Sequence, residues 1–187
     1  MKIMGMDISK TRTGWAVWDT QSHISSIRCG SFKSEGDTLL AATASYLPQL
    51  IALIKTEAPG YVAFEEGVNF IKNYVRVGSD LAGGFSSAGG NSDLLILQRL
   101  LGSTQAVLTG MKIQHESVDQ KTWRKAFLGY GVKKGMKTDD YKRAARQQCE
   151  IEGIAVKNGD QAEAAGVAFW AGRCSQKVKE MTMRAAA

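Results

Sequence analysis

The sequence predicts an α/β fold built on a mixed five-stranded sheet flanked by helices. Three short runs rich in strand formers come first, and their short connections favour antiparallel pairing. A helical pattern and a fourth apolar run follow, an order that favours parallel pairing of the fourth strand with the first. At 187 residues the chain has the size of one ordinary domain, so we assign residues 1–187 to a single domain.

The first half of the chain contains four predicted strands and one helix. The strands cover Lys2–Ile8, Thr13–Trp18, Ile24–Phe32 and Tyr61–Glu66. Between the third and the fourth, apolar residues recur at helical spacing from Leu39 to Ile54. We expect Asp37 to cap this helix, Pro48 to kink or interrupt it, and Pro59-Gly60 to end it.

The second half continues with a Gly-rich loop at 78–92 and a helix capped by Asp93 that ends at Gly110. A fifth strand is predicted at Lys112–Val118. In the preceding helix four leucines align on one face, which serves either the core or a dimer contact, with the core as the default: Leu94, Leu97, Leu101 and Leu108. Further helices are predicted at 119–128, 138–152 and 160–178.

Charge indicates a nucleic-acid partner. Lys and Arg outnumber Asp and Glu by 24 to 18, which gives a net charge of +6. Clustered cations gain affinity for a polyanion by releasing its counterions. The cations cluster in one segment, as Lys121, Arg124, Lys125, Lys133, Lys134, Lys137, Lys142, Arg143 and Arg146. A solvated surface is the alternative for any single lysine.

Composition also excludes several classes of protein. No apolar run approaches the roughly 20 residues of a membrane-spanning helix, and Asp7 comes too early for a signal peptide. We therefore expect a cytoplasmic protein with no membrane partner. The three cysteines are odd in number and widely spaced, which rules out a disulfide framework and argues against structural zinc. With only two histidines, any metal would be held by oxygen ligands, which favours Mg²⁺ or Mn²⁺.

Four acidic positions suit a two-metal phosphodiesterase. Asp7 ends the first strand, and Glu65 or Glu66 ends the fourth. If these strands are parallel neighbours, their carboxyl ends bring both side chains into one crevice. Asp160 and Glu163 lie three apart at the start of a helix and so share a face. Two-metal hydrolysis needs such ligands to hold ions roughly 3.5–4 Å apart.

Structural explanations compete with this interpretation. Asp160 is well placed as the N-cap of its helix, since N-terminal turns favour acids. Asp7 is harder to explain by structure alone, because burying an acid is costly unless something pairs with it. Glu65 and Glu66 compete for one role, because neighbouring residues of a strand face opposite sides.

Three motifs together resemble the RuvC-type Holliday junction resolvases, which have the RNase H-like fold. Residues 5–17 (GMDISKTRTGWAV) resemble the family's opening, in which an Asp ends strand one and a Thr-Gly-aromatic step begins strand two. Residues 62–66 (VAFEE) are similar to its second acidic motif, where an apolar residue directly precedes the catalytic Glu, which selects Glu65. Residues 160–165 (DQAEAA) resemble its C-terminal motif, although Glu163 stands where Asp is more usual.

The resemblance implies a structure-selective endonuclease of DNA recombination and repair, a crossover junction endodeoxyribonuclease. Such an enzyme works as a homodimer and resolves a four-way DNA junction by paired symmetric nicks. The resemblance implies two Mg²⁺ ions per active site, with Mn²⁺ also possible, and no nucleotide cofactor. The catalytic and metal-binding residues would be Asp7, Glu65, Asp160 and Glu163.

DNA contacts are expected in two segments. Phe70 or Tyr74 would wedge between bases, with local packing an equal alternative. Residues 121–125 (KTWRK) are similar to a segment of short, often phage-encoded, family members; Trp123 suits the apolar face of a helix, while Arg124 lies off it and reaches phosphates. Lys137 is the candidate to approach the scissile phosphate. The expected DNA-contact set is Phe70, Lys72, Tyr74, Arg76, Lys121, Arg124, Lys125, Lys133, Lys134 and Lys137.

Three other functions fit parts of the sequence. An actin-like or sugar-kinase-like phosphotransferase shares the strand–turn–strand start, but this chain is too short for two lobes around a nucleotide. A catalytically silent junction-binding module would keep the fold without the chemistry, which the presence of all four acids disfavours. A related nuclease acting on other branched DNA or on RNA–DNA hybrids stays open, because such enzymes recognise shape.

Overall fold

The computed structural model describes residues 1–66, 91–131 and 133–186, and it confirms the predicted fold class. The strands are β1 (Lys2–Asp7), β2 (Arg12–Asp19), β3 (Arg28–Lys33), β4 (Tyr61–Glu65) and β5 (Gln114–Val118), in the sheet order β3-β2-β1-β4-β5. β1, β2 and β3 pair antiparallel, and β4 pairs parallel with both β1 and β5. The mixed sheet is therefore the one that the connection lengths predicted.

The α-helices of the described residues are α1 (Leu39–Glu57), α2 (Asn91–Gly110), α3 (Gln120–Leu128), α4 (Thr138–Ile151), α5 (Gly159–Cys174) and α6 (Gln176–Ala186). Two strands begin later than predicted. A turn of 3-10 helix at Ile24–Ser26 precedes β3, and the left-handed backbone of Lys112 (φ 57°) delays β5. The predicted helix at 160–178 divides at Ser175, whose extended backbone separates α5 from α6.

The start of α1 and its passage through Pro48 differ from the prediction. Thr38, not Asp37, is the N-cap, and its side-chain oxygen accepts a hydrogen bond from the Ala41 N–H at 3.2 Å. The helix continues through Pro48 without a break. Its neighbours on the buried face, Tyr46 and Leu50, are fully buried, and packing of this kind supplies most of a helix's stability in a folded protein.

Within the described residues, α1 is also the one helix with the length and mean hydropathy (1.3) of a membrane span. Its buried side chains nevertheless share one apolar cluster with Met6 of β1 and Leu100 of α2. One face of α1 therefore packs against the core of this fold.

The structure of α2 corrects one prediction and supports another. Asp93 lies in the first turn and is not the N-cap, because the helix already begins at Asn91. Leu101 and Leu108 are buried against the sheet, which is the default core role expected for that face. Most of the predicted Gly-rich loop at 78–92 lies outside the described residues.

Each face of the sheet carries a helical layer, and strand alternation decides which side chains meet which layer. Ala63 of β4 belongs to a buried cluster with side chains of α3, α4 and α5, whereas Phe64 belongs to a second cluster with side chains of α1 and α2. Glu65 follows Ala63 by two residues and therefore lies on the α5 side. Asp7 follows Ile3, another member of the α5-side cluster, by four residues. Both strand-ending acids thus lie on the same side of the sheet.

Two glycines let α5 lie directly against the centre of the sheet. A Cβ on Gly5 of β1 would lie 2.3 Å from the backbone nitrogen of Ala168, and one on Gly14 of β2 would lie 2.1 Å from the carbonyl oxygen of Asp160. Real Cβ atoms do not approach other atoms this closely. The first three turns of α5 therefore have a defined position over β1 and β2.

Gly5→Ala should lower the free energy of unfolding by about 2–3 kcal/mol, toward the upper end of overpacking costs, because the clash is with backbone. Gly102→Ala is the matched control, since a Cβ there would meet no atom within 4 Å. This change inside α2 should raise the free energy of unfolding by about 0.5–1 kcal/mol. Denaturant titration of both variants measures the difference, and equal effects would contradict the close packing of α5.

Candidate metal centre

Three carboxylates from β1 and α5 converge where β1 and β4 end. One oxygen each of Asp7, Asp160 and Glu163 lies within 4.8 Å of the other two. Asp7 is 8% exposed and Glu163 is 3% exposed, while Asp160 is half-buried. A cluster made only of carboxylate oxygens suits a hard cation such as Mg²⁺ or Mn²⁺. The structure thus brings three of the four predicted ligands together.

Glu65, the fourth predicted ligand, borders the same open pocket as Asp7 and Glu163. It lies beside Asp7 because β1 and β4 are paired in parallel up to the preceding residue of each strand. Glu66 also borders this pocket, and its backbone N–H donates to the carbonyl of Val118 at 2.8 Å. The alternation along β4 nevertheless gives Glu65 the α5 side, where Asp160 and Glu163 lie.

Helix α3 holds the carboxylate of Glu65 through both oxygens. The side-chain amide of Gln120 donates to Oε1, and the indole Nε1 of Trp123 donates to Oε2 at 2.8 Å. The indole is fully buried, as its place on the apolar face predicted, and it fits because a Cβ on Gly166 would lie 2.6 Å from it. Each oxygen of a carboxylate accepts two hydrogen bonds, so each keeps a lone pair for a metal. The hydrogen bonds from Gln120 and Trp123 were not predicted.

Arg124 is not the exposed phosphate contact that the sequence predicted. The residue is buried, and its guanidinium donates to Glu163 Oε1 and to Gln120 Oε1, each at 3.2 Å. The guanidinium also lies 4.1 Å from the centroid of the Tyr141 ring. A guanidinium enters a protein interior when a carboxylate and an aromatic face receive it. Because Gln120 accepts from Arg124, its amide NH₂ is turned toward Glu65.

Lys142 of α4 is the site residue that sequence reasoning missed. Its ammonium donates to Asp160 Oδ1 and lies 3.9 Å from Glu163 Oε2. The sequence placed it only within the general cluster of cations. Nothing in its local sequence distinguishes it from Arg143 and Arg146, which are exposed.

Asp160 does not cap α5. Asn158 is the N-cap, and its side-chain oxygen accepts the Gln161 N–H at 3.0 Å. The helix starts one residue earlier than predicted, so Asp160 lies in its first turn. Its carboxylate is therefore available to the acidic cluster and to Lys142.

The remaining predicted DNA contacts fall into two groups. The lysines of the 121–137 segment have exposed side chains: Lys121, Lys125, Lys133, Lys134 and Lys137. Lys137 directly precedes Thr138, which borders the acidic pocket. The other four predicted contacts, Phe70, Lys72, Tyr74 and Arg76, lie outside the described residues.

Solved structures share this architecture over nearly the whole chain. The RuvC of Thermus thermophilus matches 91% of this chain and 95% of its own, with a TM-score of 0.60 and 16% identity. T. thermophilus RuvC in complex with Holliday junction substrate matches 91% and 94%, with a TM-score of 0.61 and 14% identity. The yeast mitochondrial Holliday junction resolvase Ydc2 matches 98% and 82%, with a TM-score of 0.62 and 11% identity.

This chain has the fold of the RuvC-type Holliday junction resolvases. The RNase H-like architecture implied by the three acidic motifs is therefore confirmed. No protein-family model and no curated protein matches the sequence. At identities this low, the likeness establishes the fold, and the chemistry has to be argued from the residues of this chain.

Burial and repulsion between like charges both act on the acidic cluster of this RuvC-type fold. Burial, followed by the charges of Glu163 and Glu65, raises the pKa of Asp7 well above its ordinary value, and Lys142 only partly offsets this. Burial and Glu65 likewise raise the pKa of Glu163 to about 7, against the opposing charges of Lys142 and Arg124. No donor within the described residues hydrogen-bonds to the Asp7 carboxylate. A divalent cation would supply the missing positive charge, so these residues fit a metal.

In metal-free protein at about pH 8, Asp7→Asn should raise the melting temperature, because it removes one of four mutually repelling carboxylates. The wild type loses stability as pH rises through the interval between the ordinary pKa of Glu163, 4.5, and its folded value of about 7. The advantage of the variant should therefore shrink as pH falls to about 5, where protonation relieves the same repulsion in the wild type.

Thermal unfolding in EDTA, followed by circular dichroism at several pH values, measures this effect. Glu180→Gln, at an exposed position of α6, is the control and should change little. A wild type more stable than Asp7→Asn at the higher pH would show that the cluster is not under repulsion.

Proposed function

We propose that this protein is a metal-dependent endonuclease that cleaves four-way DNA junctions. The proposal depends on one observation: Asp7 and Glu163 border one open pocket together with Glu65, and their carboxylates cluster with that of Asp160. Its support from outside the chain is the shared fold with RuvC, which has been solved in complex with a Holliday junction substrate.

The four carboxylates would hold Mg²⁺ or Mn²⁺, with two ions per site. Two such ions activate a water molecule and stabilise the leaving oxygen of a phosphodiester. Other side chains of this protein orient the metal ligands. Gln120 and Trp123 hold the two oxygens of Glu65, and Arg124 holds Glu163. Ligands held by a second layer of hydrogen bonds keep the geometry that catalysis needs. The pocket that Glu65 and Glu163 border has a volume of about 190 Å³ and is open to solvent. A phosphate group of a DNA backbone therefore has room to enter.

The exposed lysines of the 121–137 segment are the proposed contacts to the DNA backbone. Lys121 and Lys125 lie in α3, and Lys133, Lys134 and Lys137 precede the first residue of α4; these two helices supply Arg124 and Lys142 to the pocket. We also propose that the active form is a homodimer, since paired nicks in opposite strands of one junction need two active sites.

Cleavage of a synthetic four-way junction, beside a linear duplex of the same sequence, tests the proposal. Wild type should nick the junction in Mg²⁺ and not in EDTA. Asp7→Asn and Glu65→Gln should each abolish cleavage while junction binding stays largely intact, because the acids act on the chemistry and the lysines hold the phosphates. Glu180→Gln should retain the full rate.

The pattern of products separates the alternatives. Paired symmetric nicks in the junction alone support a resolvase, whereas cleavage of both substrates supports a nuclease without junction preference. Tight junction binding without cleavage would leave a binding module. An RNA–DNA hybrid included in the same assay tests the remaining nuclease class. Full activity of Asp7→Asn would refute the assignment of the metal ligands.

The salt dependence of binding tests the lysine contacts. Lys133→Gln combined with Lys134→Gln should weaken junction binding. The negative slope of log K against log salt should become less steep, by up to about 0.9 for each phosphate that the variant no longer neutralises. Fluorescence anisotropy across a salt series measures the slope. Lys55→Gln, which removes an exposed cation from α1, should leave it unchanged. An unaltered slope in the double variant would exclude these two lysines from the interface.

A further inference from the structure

We infer that Lys142 is an internal counter-ion of the acidic cluster, which a metal ion has to displace from Asp160. The inference rests on the metal binding of the proposed function and deepens it, because it says what limits the affinity of that site.

The ammonium of Lys142 already lies beside the carboxylate oxygens that a metal would need. It donates to Asp160 Oδ1 and lies 3.9 Å from Glu163 Oε2, and both residues belong to the candidate metal cluster with Asp7. Mg²⁺ binds carboxylate oxygens at about 2.0–2.1 Å and demands near-octahedral geometry. A divalent ion and an ammonium beside the same carboxylate of Asp160 would repel each other at close range. One of the two cations therefore has to leave.

The glycine at position 159 determines where the side chain of Lys142 lies. A Cβ on Gly159 would lie 2.7 Å from the Cβ of Lys142 and 2.9 Å from its Cγ and Cδ. The aliphatic stem of Lys142 thus lies directly on the residue that precedes Asp160. Any larger residue at position 159 would push the stem away, so the contact between ammonium and Asp160 depends on this glycine.

The two cations at the cluster differ in how firmly they are held. The side chain of Arg124 is 5% exposed, and it is fixed by Gln120 and by the ring of Tyr141 as well as by Glu163. The side chain of Lys142 is 32% exposed, and the described residues give its ammonium only carboxylate partners. Lysine also has a flexible stem and a strongly hydrated head that readily returns to solvent. Arg124 is thus a permanent part of the site, and Lys142 is the cation that can be displaced.

Two consequences follow for the metal-free and metal-bound proteins. Lys142 lowers the cost of assembling four carboxylates without a metal, and for the same reason it weakens metal binding. Once displaced, its ammonium stays at the edge of the pocket where the proposed function would place a substrate phosphate.

Binding of Mn²⁺ in the absence of nucleic acid, measured by electron paramagnetic resonance of the free ion, tests the inference. Lys142→Gln should bind at least one Mn²⁺ about tenfold more tightly than wild type, because a unit charge close to the ligands is gone. Lys142→Arg keeps the charge and should not bind more tightly. Lys55→Gln removes an equal charge far from the cluster and should match wild type.

A second measurement compares thermal stability without and with metal. In EDTA, Lys142→Gln should melt at a lower temperature than wild type, and saturating Mn²⁺ should more than restore the difference. If Lys142→Gln does not fold, Lys142→Met keeps the aliphatic stem against Gly159 and carries the same expectations.

The outcomes separate this inference from the proposed function. Equal binding of Mn²⁺ by wild type and Lys142→Gln would overturn the role of Lys142 while leaving the metal site intact. Weaker binding by the variant would do the same. Failure of every variant and of wild type to bind Mn²⁺ would overturn both.

Discussion

The rest of the structure depends on the direct contact between α5 and the middle of the sheet. Gly5 and Gly14 have no side chain on the face where α5 lies, so the helix backbone approaches β1 and β2 closely. Any side chain at either position would hold the helix farther away, and the carboxylates of Asp160 and Glu163 would move with it. The close approach of α5 buries its small side chains in the core. It also brings Asp160 and Glu163 next to Asp7. Packing and site geometry are one feature of this fold.

A buried cluster of like charges is unfavourable, and the surrounding residues limit that cost without removing it. Arg124 neutralises part of the charge of Glu163, and Lys142 does the same for Asp160. Within the described residues, no cation forms a hydrogen bond or an ion pair with Asp7. Burial and the neighbouring acids therefore raise its pKa. Sites that bind metals commonly carry such unbalanced charge, because the ion completes the balance. A network of charges that served only stability would pair each acid with a cation, and the acidic cluster does not have this arrangement.

Much of the fold was predictable because its determinants are local. Apolar alternation and short connections marked β1, β2 and β3, and the strand–helix–strand order indicated the parallel pairing of β4. The errors were also local in origin. Thr38 caps α1 in place of the predicted Asp37, because both residue types are good N-caps and only the point at which the backbone enters the helix decides between them. Pro48 is tolerated because Tyr46 and Leu50 hold α1 against the core.

The sequence by itself determined the fold class and the candidate acids, since a strand that ends on Asp7 or Glu65 and a helix that begins with Asp160 and Glu163 are visible in the pattern of one segment at a time. Only the tertiary structure decided which cations belong to those acids. Arg124 and Lys142 have the same charge and the same kind of neighbours as the exposed Lys125 and Arg143. They differ because α3 and α4 turn these two side chains toward the acidic pocket, and a contact across 18 or 39 residues is set by the packing of helices rather than by spacing along the chain.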